Sequence, residues 1–134
     1  MTLKRAIAFI EHLRRRSALR ARVDISLQET DFQLHPTDRP DAPPNYFQWG
    51  EITTVLAYKR DCFSVDLICL AVGDASTVVE INEEDAGWEA FIRAMEKNLP
   101  GSLPFDAWWP AVAQPPFATH RMTVYSKELS PKVI

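Results

Sequence analysis

Between positions 49 and 72 the chain reads WGEITTVLAYKRDCFSVDLICLAV, two apolar runs separated by a short charged stretch. The pattern predicts two strands, over 51–60 and 63–72, joined by a tight turn, with a further strand over 46–49 and Gly50 as the bend between them. In the later run Val65, Leu67, Ile68, Cys69, Leu70, Ala71 and Val72 leave neither face polar, so this strand is expected to be central and covered twice. Upstream, 23–27 and 32–34 alternate as short strands, and 77–81 adds another after the turn Gly73-Asp74-Ala75-Ser76. The helical periods are equally legible. Leu3, Ala6, Ile7, Phe9, Ile10 and Leu13 fall on one half of a wheel, with Lys4, Arg5, Glu11, His12, Arg15 and Arg16 on the other, which predicts an amphipathic helix over 3–19. A second helix is expected to begin at Asn82 as N-cap, with Glu83, Glu84 and Asp85 in its first turn. Its apolar stripe is Trp88, Phe91, Ile92, Met95 and Leu99; Gly87 costs it a little stability, and Pro100-Gly101 stop it. A short helix capped by Asp106 runs through Ala113, with Pro110 still in its first turn and Trp108, Trp109 and Val112 to bury. Met122 to Tyr125 then form an edge strand.

Charge divides this picture in two. Residues 1–22 hold seven basic side chains against Glu11, a balance of +6, whereas the other 112 residues balance at −9. The chain is therefore expected to be a basic amphipathic N-terminal helix, 1–22, on a single α+β domain, 23–134. Such a helix lies on an anionic membrane, grips a nucleic acid, docks on the acidic body, or pairs with its copy in a second subunit. No basic–aromatic interleaving supports nucleic acid. The apolar run AIAFI is too short for a secretion signal and is interrupted by charges, so a cytoplasmic location is expected. Residues 35–45, HPTDRPDAPPN, carry four prolines and predict a stiff exposed loop, either functional or a tolerated insertion.

Candidate chemistry is sparse. There is no glycine-rich phosphate loop, no G-x-S-x-G and no C-x-x-C, and the spacing of His12, His35 and His120 does not require a metal. No cofactor is implied. Cys62 and Cys69, the two cysteines, lie close in one hairpin; Cys69 is expected to act as a small buried hydrophobe, with a bridge to Cys62 as the alternative. Pairing of residues 60 and 63 around a two-residue turn would set Ala57 against Asp66 and Lys59 against Ser64; a one-residue change would bring Tyr58 opposite Asp66. In each case Tyr58, Lys59, Arg60, Asp61 and Asp66 gather at one end of the hairpin. They form either an active-site group of a lysine with carboxylates or a cluster that pins strand register. Asp66 interrupts an apolar strand and, once buried, needs a partner such as Lys59 or Arg60. With Arg14, Arg15 and Arg16 of the first helix, these are the candidate interaction residues.

Several stretches together resemble a known architecture. They are Trp49 with Ile52, the run from Ala57 to Asp61, then Phe63, Asp66, Ile68 and Leu70, followed by Gly87-Trp88, Leu99-Pro100, and Trp109 spaced to Val112, Pro115 and Phe117. Over about residues 45–126 the chain resembles pleckstrin-homology-like domains, and more narrowly a group of small bacterial proteins without an assigned activity. The resemblance implies an α+β fold: an antiparallel sheet or partial barrel closed by a long amphipathic helix, with the N-terminal helix before it and a short helix and strand after it. Three departures from the standard domain stand out: fewer than seven clear strands, an additional helix, and no basic β1–β2 loop for lipid headgroups. The group carries no catalytic residues over. By analogy with bacterial immunity proteins, the expected function is non-catalytic binding through protein–protein contacts, including neutralisation of a basic toxin. The alternatives are a peripheral membrane module anchored by residues 3–19 and a small enzyme using Lys59, Asp61 and Asp66.

Overall fold

The computed structural model describes residues 22–62, 65–114 and 121–127. The helix expected over 3–19, with Arg14, Arg15 and Arg16, lies outside the described residues, as do the side chains of Asp61 and Cys62. Seven strands are present among the described residues, each at a place where the sequence pattern predicts one. Val23–Leu27 (β1), Asp31–Pro36 (β2) and Asn45–Gln48 (β3) form one antiparallel sheet in the order β1-β2-β3. Thr54–Cys62 (β4), Val65–Gly73 (β5), Val78–Asn82 (β6) and Arg121–Ser126 (β7) form a second, in the order β6-β5-β4-β7. Two helices, Trp88–Asn98 (α1) and Phe105–Ala113 (α2), complete an α+β fold consistent with a partial barrel. The proline-rich segment becomes the exposed connection between β2 and β3.

Four local expectations are corrected. The strand expected from 51 begins at Thr54, because the bend at Gly50 takes the form of a 3-10 turn, Trp49–Glu51, closed by the Ile52 N–H on the Trp49 carbonyl at 3.2 Å. That turn aims the Trp49 indole inward, 4.5 Å between ring centroids from Phe32 and 5.4 Å from Phe91. The long helix begins at Trp88 rather than after Asn82, so it spans 11 residues. Asn82 ends β6, and its side-chain oxygen accepts the Glu84 N–H in a local turn. Asp85 is buried and accepts the N–H of Val23 (3.3 Å) and of Asn82 (2.9 Å), tying the start of β1 to the end of β6. Carboxylates that resemble a helix start in sequence are thus spent on strand backbones. Gly87, far from being a defect inside a helix, is its N-cap in a left-handed conformation (φ 92°). A Cβ there would lie 2.9 Å from the Ile25 carbonyl oxygen, because β1 runs past with the Ile25 N–H bonded to Ala86. Finally, α2 takes Pro104 as N-cap, with Asp106 in its first turn and Pro110 beyond it. The Phe105 N–H is satisfied by the Glu96 carboxylate of α1 at 2.8 Å, which fixes the two helices relative to each other.

The main core lies between the sheets and both helices. Phe32, Phe47, Trp49 and Phe91 form its aromatic centre. The stripe Trp88, Phe91, Ile92, Met95 and Leu99 is buried throughout, and Trp108 and Val112 of α2 join it against Ala57, Ile68 and Leu70. A smaller apolar cluster of Leu56, Tyr58, Leu67, Cys69 and Ala71 occupies the opposite face of the four-stranded sheet. β4 and β5 are therefore apolar on both faces, which the near-continuous run in β5 foretells.

Candidate functional site

The hairpin register decides what its charged residues can do. Cys62 pairs with Val65, Asp61 with Asp66, Arg60 with Leu67, Lys59 with Ile68 and Tyr58 with Cys69. The strands run two residues further than the 60–63 pairing expected from sequence, so neither expected partner of Asp66, Ala57 or Tyr58, lies opposite it. This register also sets Cys62 four residues along the strand from the residue it would have to bridge to. That is roughly 13 Å, beyond disulfide reach. Cys69 is a buried thiol whose Sγ lies 3.6 Å from the Leu67 carbonyl oxygen.

Because side chains alternate along a strand, Lys59 and Arg60 leave β4 on opposite faces. Lys59 points to the main core. Its Nζ donates to the Ala113 carbonyl at the C-terminus of α2 (3.2 Å) and lies 3.4 Å from Asp66, so one buried ammonium serves a helix end and a carboxylate. Of the two partners expected for Asp66, the structure supplies Lys59. Arg60 and Tyr58 point the other way, to Glu80 of β6. The Tyr58 hydroxyl donates to Glu80 Oε1 at 2.6 Å, and Arg60 donates from NH1 to Oε2 at 2.9 Å. The intervening β5 residues on this face include Cys69 and Ala71, small enough for both side chains to cross over them. Burial, reinforced by the Glu80 charge, raises the Tyr58 phenol well above its ordinary pKa of 10.0, and Arg60 opposes that shift. The residues that read as one charged cluster thus form two separate arrangements, one on each side of a sheet.

A concave surface lies elsewhere, along α1 and α2. A groove of about 640 Å³ has Trp88, Ile92, Phe105 and Trp109 as its apolar lining. Around it stand four carboxylates, Glu83, Glu89, Glu96 and Asp106, against the single guanidinium of Arg93. Phe105 meets Trp108 edge-on at 5.1 Å and Trp109 at 6.1 Å, leaving Trp109 half-buried where the sequence pattern has it fully packed. Glu83 accepts the Ile68 N–H and Glu96 that of Phe105, so two of the acids are held in place by the fold. Glu89 and Asp106 are exposed. None of Tyr58, Lys59, Arg60 and Asp66 lines this groove. Sequence reasoning missed it. The available signal is that Glu89, Arg93 and Glu96 recur at i, i+4 and i+7 on the face of α1 adjoining its apolar stripe. Glu80 was missed as well, although it is the one acid within the predicted strand 77–81.

Among the described residues no group of three or more His, Cys, Asp or Glu side chains could hold a metal ion, and no described helix is long and apolar enough to cross a membrane. Comparison with family models, curated proteins and solved structures found no match.

Proposed function

We propose that the protein is a non-catalytic binding protein that seats a basic, apolar segment of a partner protein in the groove along α1 and α2. The observation that carries this reading is the composition of the groove, an aromatic floor with four carboxylates and one arginine around it. A helix or extended segment with Leu, Phe or Trp anchors flanked by Lys or Arg matches that surface in shape and in charge. The acidic balance of residues 23–134 steers such a partner toward it. Neutralisation of a basic toxin, the immunity-type role, is the biological form this binding takes. Sheets of three and four antiparallel strands with a helix against the core support the pleckstrin-homology-like reading of the frame. The enzyme reading loses its support, since Lys59 and Asp66 are engaged with each other away from the groove.

Peptide-display selection on the full-length protein tests the proposal. Enriched sequences are expected to combine Lys or Arg with large apolar residues. Their binding should weaken about 10-fold or more in the double variant Glu89→Lys/Asp106→Lys, since like charges across an interface cost several kcal/mol. Enriched peptides without basic residues, or binding indifferent to the double variant, would remove the groove as the site.

A further inference from the structure

The charges along α1 follow an order. Glu89, Arg93 and Glu96 are exposed, fall on one face of the helix, and all border the groove. With 1.5 Å of rise per residue, the sign runs minus, plus, minus, the later two charges about 6 Å and about 10 Å from the first. Among the described residues Glu89 and Arg93 form no ion pair. The Glu96 carboxylate accepts the Phe105 N–H at 2.8 Å, which holds that end of the row in place. Beside the row, Trp88 and Ile92 show only their edges, whereas Phe105 and Trp109 of α2 are half-buried and supply most of the open apolar surface.

We propose that the partner segment seated in the groove is an α-helix lying along α1, with Lys or Arg at positions i and i+7, Asp or Glu between them, and a flanking apolar stripe on Phe105 and Trp109. This occupant presupposes the groove reading and adds to it a conformation and an order of charges. Spacing decides the conformation. Residues i, i+3 or i+4, and i+7 of a helix share a face and repeat the spacing of the α1 row, so each charge meets its opposite. An extended segment repeats on one face every two residues, about 6.6 Å, and its third side chain overshoots Glu96 by about 3 Å. The central acid belongs at i+4 in a partner parallel to α1 and at i+3 in an antiparallel one. Arg93 then acts as a selectivity element, because a uniformly basic helix sets a cation against it. A second copy of the chain is a poor occupant: two such grooves face to face bring eight carboxylates against two guanidinium groups.

Synthetic helical peptides of one composition test it, each with the same leucine stripe and two lysines and one glutamate in the three charged positions. Both spacings of the central position are made, and binding to the full-length protein is read by fluorescence anisotropy. The order Lys–Glu–Lys is expected to bind about 5-fold tighter than Glu–Lys–Lys or Lys–Lys–Glu, and to gain helical circular dichroism on binding. In Arg93→Glu, an exposed change, that preference should vanish, because every order then meets three carboxylates. Orders that bind equally to the unaltered chain, yet all weaken in Glu89→Lys/Asp106→Lys, overturn the helix and leave the groove reading standing. Binding by none of the peptides, or binding indifferent to the double variant, removes both. A preference that survives Arg93→Glu, or a bound peptide without helical signal, also overturns the inference. So does concentration-dependent dimerisation abolished by Arg93→Glu, which would assign the face to a second copy.

Discussion

The two faces of the four-stranded sheet use neighbouring residues of β4 for opposite purposes. On the first face Lys59 is a fixture at the rim of a large core, holding the end of α2 and the Asp66 carboxylate. On the second, Tyr58, Arg60 and Glu80 form a closed polar network at the side of a five-residue apolar patch. Adjacent residues of like charge thus belong to different structural units, and the difference teaches that a cluster along the sequence is not a cluster in space. The first face is secured mainly by area, the second mainly by one satisfied ionic network.

Substitutions can separate these two descriptions. Phe91→Ala, at the aromatic centre behind the first face, is expected to cost about 4 kcal/mol in denaturant unfolding, because it removes a fully buried ring and leaves a cavity. A loss under 1 kcal/mol would mean that the aromatic core is not what chiefly holds the first face. Arg60→Leu should cost about 3 kcal/mol, since it leaves the Glu80 carboxylate buried without its guanidinium, with the Tyr58 hydroxyl still donating to it. If Arg60→Leu were neutral, the network would contribute nothing to the second face. Lys59→Met comes next, at about 2 kcal/mol for the lost bond to Ala113 and the ion pair. Combined with Arg60→Leu it should be additive within about 0.5 kcal/mol, although the residues are adjacent, because the two side chains act on opposite faces of the sheet. Strong coupling between them would contradict the division into faces.

The smallest effect is a pH dependence. An unfolded tyrosine ionises near pH 10, whereas Tyr58 in the folded chain ionises well above 10.0, chiefly through burial. A raised folded-state pKa gives stability that is complete below pH 10 and declines as pH rises above it. The slope reaches at most about 1.4 kcal/mol per pH unit until Tyr58 itself ionises. Tyr58→Phe should remove this part of the alkaline decline. Unfolding midpoints measured at pH 9, 10 and 11 in both proteins would show it, and parallel curves would place the phenol outside the buried network.

What the sequence made legible follows period and volume. The stripe from Trp88 to Leu99, the double-sided strand around Leu67 to Val72 and the strand at the C-terminal side are all visible as hydrophobic rhythm, and all pack as that rhythm implies. What it concealed was the assignment of polar groups. Asn82 with Glu83 to Asp85 matches a helix start in composition, but the backbones of β1, β5 and β6 compete for those carboxylates and win. The informative residue there was Gly87, whose positive φ and contact with Ile25 mark the true boundary. Register was hidden for a similar reason. With both faces of β4 and β5 apolar, moving the turn by two residues, which shifts every cross-strand partner by four (Ala57 from Asp66 to Leu70), keeps every hydrophobic position buried, so patterning alone does not choose between alignments. The groove was illegible because it is made by two helices whose relative placement depends on Glu96 reaching the Phe105 N–H, a contact with no periodic signature.

The position of β7 has a consequence for how the molecule comes into being. β4, β5 and β6 are consecutive and pair with their sequence neighbours, but β7 returns from beyond both helices to lie on β4, with Thr54 opposite Ser126. That closure is the most non-local contact in the sheet, and loop-closure entropy makes such pairings slow. During synthesis the ribosome releases β4 long before its outer partner exists, so one edge of an apolar strand stays open until β7 emerges. A nascent or truncated chain lacking residues 121–126 carries that open edge permanently, with Val55 and Ala57 beside it, and is the form of this protein most exposed to edge-to-edge aggregation.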